Sequence, residues 1–131
     1  MEYLLDTDTC IDLLRGLRSV VSKLEKLSPE DCGISAITTF ELFAGAAKAR
    51  QPSNEIDKIE RLVSVLEEIS FDREAARQAG ALRYRLDKAG TPLGPYDLLI
   101  AAHGLALDLT LVTANTVEFG RVAGLRIENW R

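Results

Sequence analysis

The chain has 131 residues, 47% of them hydrophobic and 27% charged, with a formal net charge of −4. That length suits one domain, residues 1–131, with a real core, and no apolar run is long enough to span a bilayer. With 16 basic against 20 acidic residues, it is not a protein that coats nucleic acid by charge alone, although arginine, the better fork for phosphate, is the commoner base. The start MEYLLD has no basic leader. Cys10 and Cys32 show neither CxxC spacing nor a nearby histidine, so a reduced cytoplasmic chain with two buried thiols is expected.

Taken in chain order, residues 2–5 (EYLL) read as a short buried strand. Asp8 is placed to cap the next helix, in which Ile11, Leu14, Leu17, Val21 and Leu24 keep helical spacing, with a break or bend at Gly16. Ser28-Pro29-Glu30 reads as a turn, and Cys32 to Ser35 as a second strand. A helix over about Thr38–Ala49 ends near Gln51-Pro52, and Ile56, Ile59, Val63 and Leu66 mark another. Ile69 to Phe71 reads as a third strand. Residues 73–89 form an alanine-rich helix with Ala75, Ala79, Leu82 and Leu86 on one face. After the loop Gly90–Gly94, Pro95 suits a first helical turn, and 96–107 is apolar almost all round, as in a buried helix. Leu109–Val112 is a fourth strand and Leu125–Ile127 a candidate fifth.

Short apolar strands alternating with helices predict a mostly parallel sheet of four or five strands covered on both faces, a three-layer α/β/α sandwich. Ligands in such folds bind at the carboxyl ends of the strands. Four acids fall at those passages: Asp6 in YLLDTD, Glu41 in ISAITTFEL, Asp97 in GPYDLLIAAH and Glu118 in LVTANTVEF. Each has an ordinary explanation alone, as a helix cap, a dipole partner or a solvated acid. Together they are carboxylates beside a core, costly without a partner, and a divalent cation such as Mg2+ or Mn2+ is the natural one. Two such ions support in-line phosphoryl displacement without a protein nucleophile.

Little else in the chain carries chemistry. His103 lies in the apolar helix and reads as a core or interface histidine. Arg15, Arg18, Arg83, Arg85 and Lys88 are phosphate candidates or a solvated basic face. A DxD-type phosphatase or phosphotransferase, in which Asp6 is the nucleophile, also needs a downstream lysine, and none follows Lys88. A phospho-receiver domain fails on the same count, although Asp72 follows the third strand. A non-enzymatic interaction module leaves the strand-end acids unexplained.

YLLDTDTCIDLLR, ISAITTFELFAGA, GTPLGPYDLLIAAHG and LVTANTVEF with LRIENW, in this order and spacing, resemble a PIN-domain ribonuclease, specifically a VapC-type toxin of a type II toxin–antitoxin pair. The likeness covers essentially the whole chain. It implies metal-binding acids at Asp6, Glu41 and Asp97 and an Mg2+- or Mn2+-dependent endoribonuclease. GTPLGPYD and RIENW look like the branch that cuts transfer RNA in the anticodon loop. Many members carry a fourth acid two residues after the threonine corresponding to Thr113; this chain has Asn115 there, and Glu118 is the nearest acid. Thr7 and Thr113 could orient ligands or water, or serve as structural caps. The resemblance also implies a homodimer and a VapB-like antitoxin whose arginine or lysine blocks the acidic pocket. Leu42, Phe43 and the residues around Leu13 could form its groove, or simply pack the core.

Overall fold

A computed structural model describes residues 1–131. Five parallel strands, β1 (Tyr3–Leu5), β2 (Cys32–Ser35), β3 (Glu67–Ile69), β4 (Thr110–Val112) and β5 (Ile127–Glu128), form one sheet in the order β3-β2-β1-β4-β5. The helices are α1 (Thr7–Leu14), α2 (Arg18–Glu25), α3 (Ala36–Ala47), α4 (Pro52–Val65), α5 (Arg73–Ala89), α6 (Pro95–Leu107) and α7 (Thr116–Phe119). None is long and apolar enough to cross a membrane.

Strand side chains alternate between faces, and two cores follow from that alternation. Leu4 and Leu111 point into one, with Leu82 and Leu86 of α5, Ile100 of α6 and Phe119 of α7. Leu5 and Val112 point into the other, with Cys10 of α1, Val20 of α2, Leu42 of α3 and Ile59 of α4. The expected three-layer α/β/α sandwich is what the chain forms. His103 belongs to the first face: its Nδ1 lies 2.8 Å from the Ser35 hydroxyl, and its ring stands edge-on to Phe71 at 5.2 Å.

The boundaries differ from the sequence reading in instructive places. The third strand is Glu67–Ile69, not Ile69–Phe71. It is an edge strand, its two glutamates are exposed, and so it lacks the apolar signature of its neighbours. The first helix begins at Thr7 because Asp6, not Asp8, is its cap: the backbone of Asp6 is extended and its side chain accepts from Thr9 N at 2.8 Å. Gly16, with φ +72, does break the helical stretch, separating α1 from α2. Ser35 caps α3 by accepting from Ile37 N at 3.1 Å, so that helix starts at Ala36 rather than Thr38. The fifth strand is Ile127–Glu128 rather than Leu125–Ile127, and Trp130 just beyond it meets the Tyr3 ring at 5.5 Å.

Candidate active site

The sheet reverses its winding direction between β1 and β4, which are hydrogen-bonded neighbours with Leu5 opposite Val112. A crevice at the carboxyl ends of strands opens at such a reversal. Asp6 follows β1 there, its N–H donating to Val112 O at 3.0 Å, and Thr113 follows β4. Glu41 lies in the second turn of α3, which follows β2. Asp97 lies in the first turn of α6, and Glu118 lies in α7 after β4.

Asp6 is only 4% exposed. Burial raises its pKa, while hydrogen bonds from Thr113 and Thr9 favour the charged form and partly oppose the rise. Asp97 is pushed up to about 6, first by burial and then by the negative charges of Glu41, Asp6, Asp8 and Glu118 in that order. Asp97 therefore senses all three of the other predicted acids, and Asp8 besides. The Thr7 hydroxyl donates to Glu41 Oε1 at 2.6 Å and lies 3.2 Å from the Thr38 hydroxyl. Thr113 accepts from Asn115 N at 3.0 Å, which turns the chain from β4 toward α7. Asn115 thus contributes backbone geometry, and Glu118 supplies the charge on that side.

The sequence reading missed three supporting residues, Thr38, Asp12 and Arg131. Thr38 stands three residues before Glu41 on α3, so the Thr-Thr-Phe-Glu spacing was the available signal for a shared face. Asp12 is buried on α1 and gripped by Arg131 in a two-pronged pair of 2.8 and 3.1 Å. These residues lie 119 positions apart, and no local pattern could have joined them. Arg131 also feels Asp8 and Asp6, so a cation borders the acidic pool but is committed to Asp12.

No three of the acids close on a single point as ligands do in this structure. The donors nevertheless fit a divalent cation: they are hard carboxylate oxygens, partly buried, and Asp6, Glu41, Asp97 and Glu118 form no salt bridge with a lysine or arginine. Cys10 and Cys32 are no alternative donors. Both are buried and unpaired, burial pushing the first thiol well up and the second to about 11.

His103 supports the site from behind, tying α6, which carries Asp97, to the cap of α3, which carries Glu41. Burial lowers its pKa from 6.5. Its stabilising contribution is therefore complete above about pH 6.5 and lost as pH falls through the lower folded value. Thermal unfolding should show the wild type losing stability between pH 7 and 5 more steeply than His103→Leu. At pH 7 that variant should itself be less stable by about 1–3 kcal/mol, because the Ser35 hydroxyl loses its buried partner. Parallel pH profiles would contradict a neutral, structural His103.

Residues 3–125 match the PIN domain family model. The tRNA(fMet)-specific endonuclease VapC of Salmonella typhimurium is 38% identical over 130 residues, spanning 99% of this chain and 98% of that protein. Ribonuclease VapC2 of Rickettsia felis is 36% identical over 132 residues with the same coverage. A crystal structure of DNA-bound VapBC from Salmonella typhimurium superimposes with a TM-score of 0.95 at 37% identity, covering 100% of this chain and 99% of that one. The chain belongs to the PIN-domain family, and within it to the VapC proteins.

Proposed function

We propose that this chain is a VapC-type toxin, an Mg2+- or Mn2+-dependent endoribonuclease working in the cytoplasm of a prokaryote. The observation that carries this reading is the pool of carboxylates around Asp97, gathered where β1 and β4 end, in which Asp6, Glu41, Asp97 and Glu118 form no salt bridge. Asp6, Glu41 and Asp97 would hold the ion, with Glu118 completing the acidic wall. A bound divalent ion supplies Lewis-acid chemistry, making water a competent nucleophile and offsetting charge on the departing 3′-oxygen, so that products end in 5′-phosphate and 3′-hydroxyl.

The chain's own residues do the positioning. Asp6 is fixed by its capping bond to Thr9 and by Thr113. Glu41 is aimed by Thr7, which Thr38 steadies in turn. Asp97 is carried on α6, which is anchored at His103. No histidine, serine or cysteine nucleophile is placed to compete for the role. The substrate we favour is transfer RNA, in line with the activity named for the Salmonella relative, and the cut we favour is in the anticodon loop, as the resemblance of GTPLGPYD and RIENW implies.

A VapB-like antitoxin fits the same surface. A groove of about 580 Å3 is lined by Ile11, Leu14, Leu42 and Ile59, with Arg15 and Glu41 among its polar lining. An apolar antitoxin segment seated there would bring a basic side chain to the acids and block them. Of the residues read from the sequence for this role, Leu42 and, around Leu13, Ile11 and Leu14 line the groove, while Leu13 itself and Phe43 pack against the core. The Salmonella structure similar to this chain is a VapBC complex, which supports a paired antitoxin. A homodimer completes the assembly we envisage.

The test is direct. Purified protein incubated with total cellular RNA should give discrete fragments with Mg2+ and none with EDTA. Release of phosphate from small esters without RNA cleavage would favour the DxD phosphatase instead.

A further inference from the structure

Two aromatic residues sit one position before two of the acids. Phe40 precedes Glu41 on α3, and Tyr96 precedes Asp97 on α6. Their rings pack on each other with centroids 5.3 Å apart and planes tilted by 57°. Even so, Phe40 remains 51% exposed and Tyr96 43% exposed.

Core packing does not account for them. Successive helical residues are about 100° apart, so Phe40 lies about 200° from both Thr38 and Leu42, the buried stripe of α3. Tyr96 bears the same relation to the buried Leu98 of α6. Both rings are thus displayed away from the core, yet they meet across the seam between the helices that carry Glu41 and Asp97. Scattered exposed apolar residues need no explanation, but a paired aromatic patch beside a charged site does.

The electrostatics say what the patch is for. Asp6, Asp8, Glu41, Asp97 and Glu118 outnumber the charge of one divalent ion, so the site stays net negative with an ion in place, and the chain as a whole is net negative. Charge attraction, the usual source of nucleic-acid affinity, is therefore weak at this place. Single-stranded RNA offers an uncharged alternative in its bases, which stack on tyrosine and phenylalanine. We propose that Phe40 and Tyr96 form a stacking platform that holds an unpaired base next to the phosphodiester presented to the acids. This rests on the reading of the chain as an RNA nuclease and adds a substrate requirement to it: the nucleotide beside the cut must be unstacked and free to splay onto the platform.

The experiment is steady-state cleavage of unfractionated transfer RNA by the wild type, Phe40→Ala, Tyr96→Ala and Tyr96→Phe, with sedimentation velocity on each. The alanine variants should raise KM by roughly 5- to 150-fold, the range for loss of a stacked base, while kcat stays within about threefold. Tyr96→Phe, which keeps the ring, should behave as wild type. Unchanged KM in both alanine variants, with the wild type active, overturns the platform and leaves the nuclease reading standing. So does a shift from dimer to monomer with KM unmoved, which would make the patch a contact between copies. A wild type that cleaves no RNA under any divalent ion removes the nuclease reading and the platform with it.

Discussion

Asp97→Asn leaves the fold intact and lowers RNA cleavage by at least about 10²- to 10³-fold, the scale on which losing one group that stabilises a charged transition state is felt. The amide matches the carboxylate in shape but brings no charge for a cation. The same variant should be more stable than wild type at neutral pH. The pKa of Asp97 rises from 3.8 unfolded to about 6 folded, so its contribution to stability is complete below about pH 3.8 and lost as pH rises through about 6. At pH 7 the ionised group works against the fold, because burial and its acidic neighbours oppose the charge. After discounting for solvent screening, the relief in Asn is on the order of 1–2 kcal/mol. Thermal unfolding should therefore show a higher midpoint for Asp97→Asn at pH 7 and a near-equal one at pH 4. Adding Mg2+ should narrow the gap at pH 7 by stabilising the wild type alone. A variant that cleaves RNA at the wild-type rate would remove Asp97 from the site.

Thr7→Val should lower kcat/KM by about 10- to 100-fold, the usual cost of losing a hydrogen bond that orients a metal ligand. Valine is nearly isosteric, but the 2.6 Å bond that aims Glu41 disappears and Thr38 loses its hydroxyl neighbour. Thr7→Ser keeps the hydroxyl and should recover most of the activity. Kinetics on the three proteins, with circular dichroism to show equal folding, separate this role from a structural cap. Equal activity in Thr7→Val would mean that Glu41 orients itself.

The contrast between these residues shows what a sequence can reveal. The gathering of Asp6, Glu41 and Glu118 was legible because each follows, or lies within two turns beyond, a short apolar strand, and parallel α/β topology gathers strand ends at one edge. The buried strands β1, β2 and β4 were legible for the same reason. Asp97 follows a helix and a loop instead, and its signal was an acid in the first turn of an otherwise apolar helix after Gly94-Pro95. The edge strand was misplaced because Glu67 and Glu68 face solvent and carry no hydrophobic signal. The first helix cap was assigned to the wrong aspartate, since Asp6 and Asp8 of DTD both suit a cap and only the backbone at Asp6 is extended. What stayed hidden was pairing at long range. Arg131 closing on Asp12, Ser35 meeting His103 and Phe40 packing on Tyr96 each join distant segments whose separate patterns are unremarkable.

The central claim is that strand-end carboxylates direct a metal-dependent attack of water on an RNA phosphodiester. The chemistry of the product ends tests it most directly. RNA cut by the wild type in Mg2+ should carry 5′-phosphate and 3′-hydroxyl termini, read by ligation and end-labelling, and cutting should stop in EDTA. Ends bearing 2′,3′-cyclic phosphate and 5′-hydroxyl, formed equally well in EDTA, would show attack by the RNA's own 2′-hydroxyl and contradict the account.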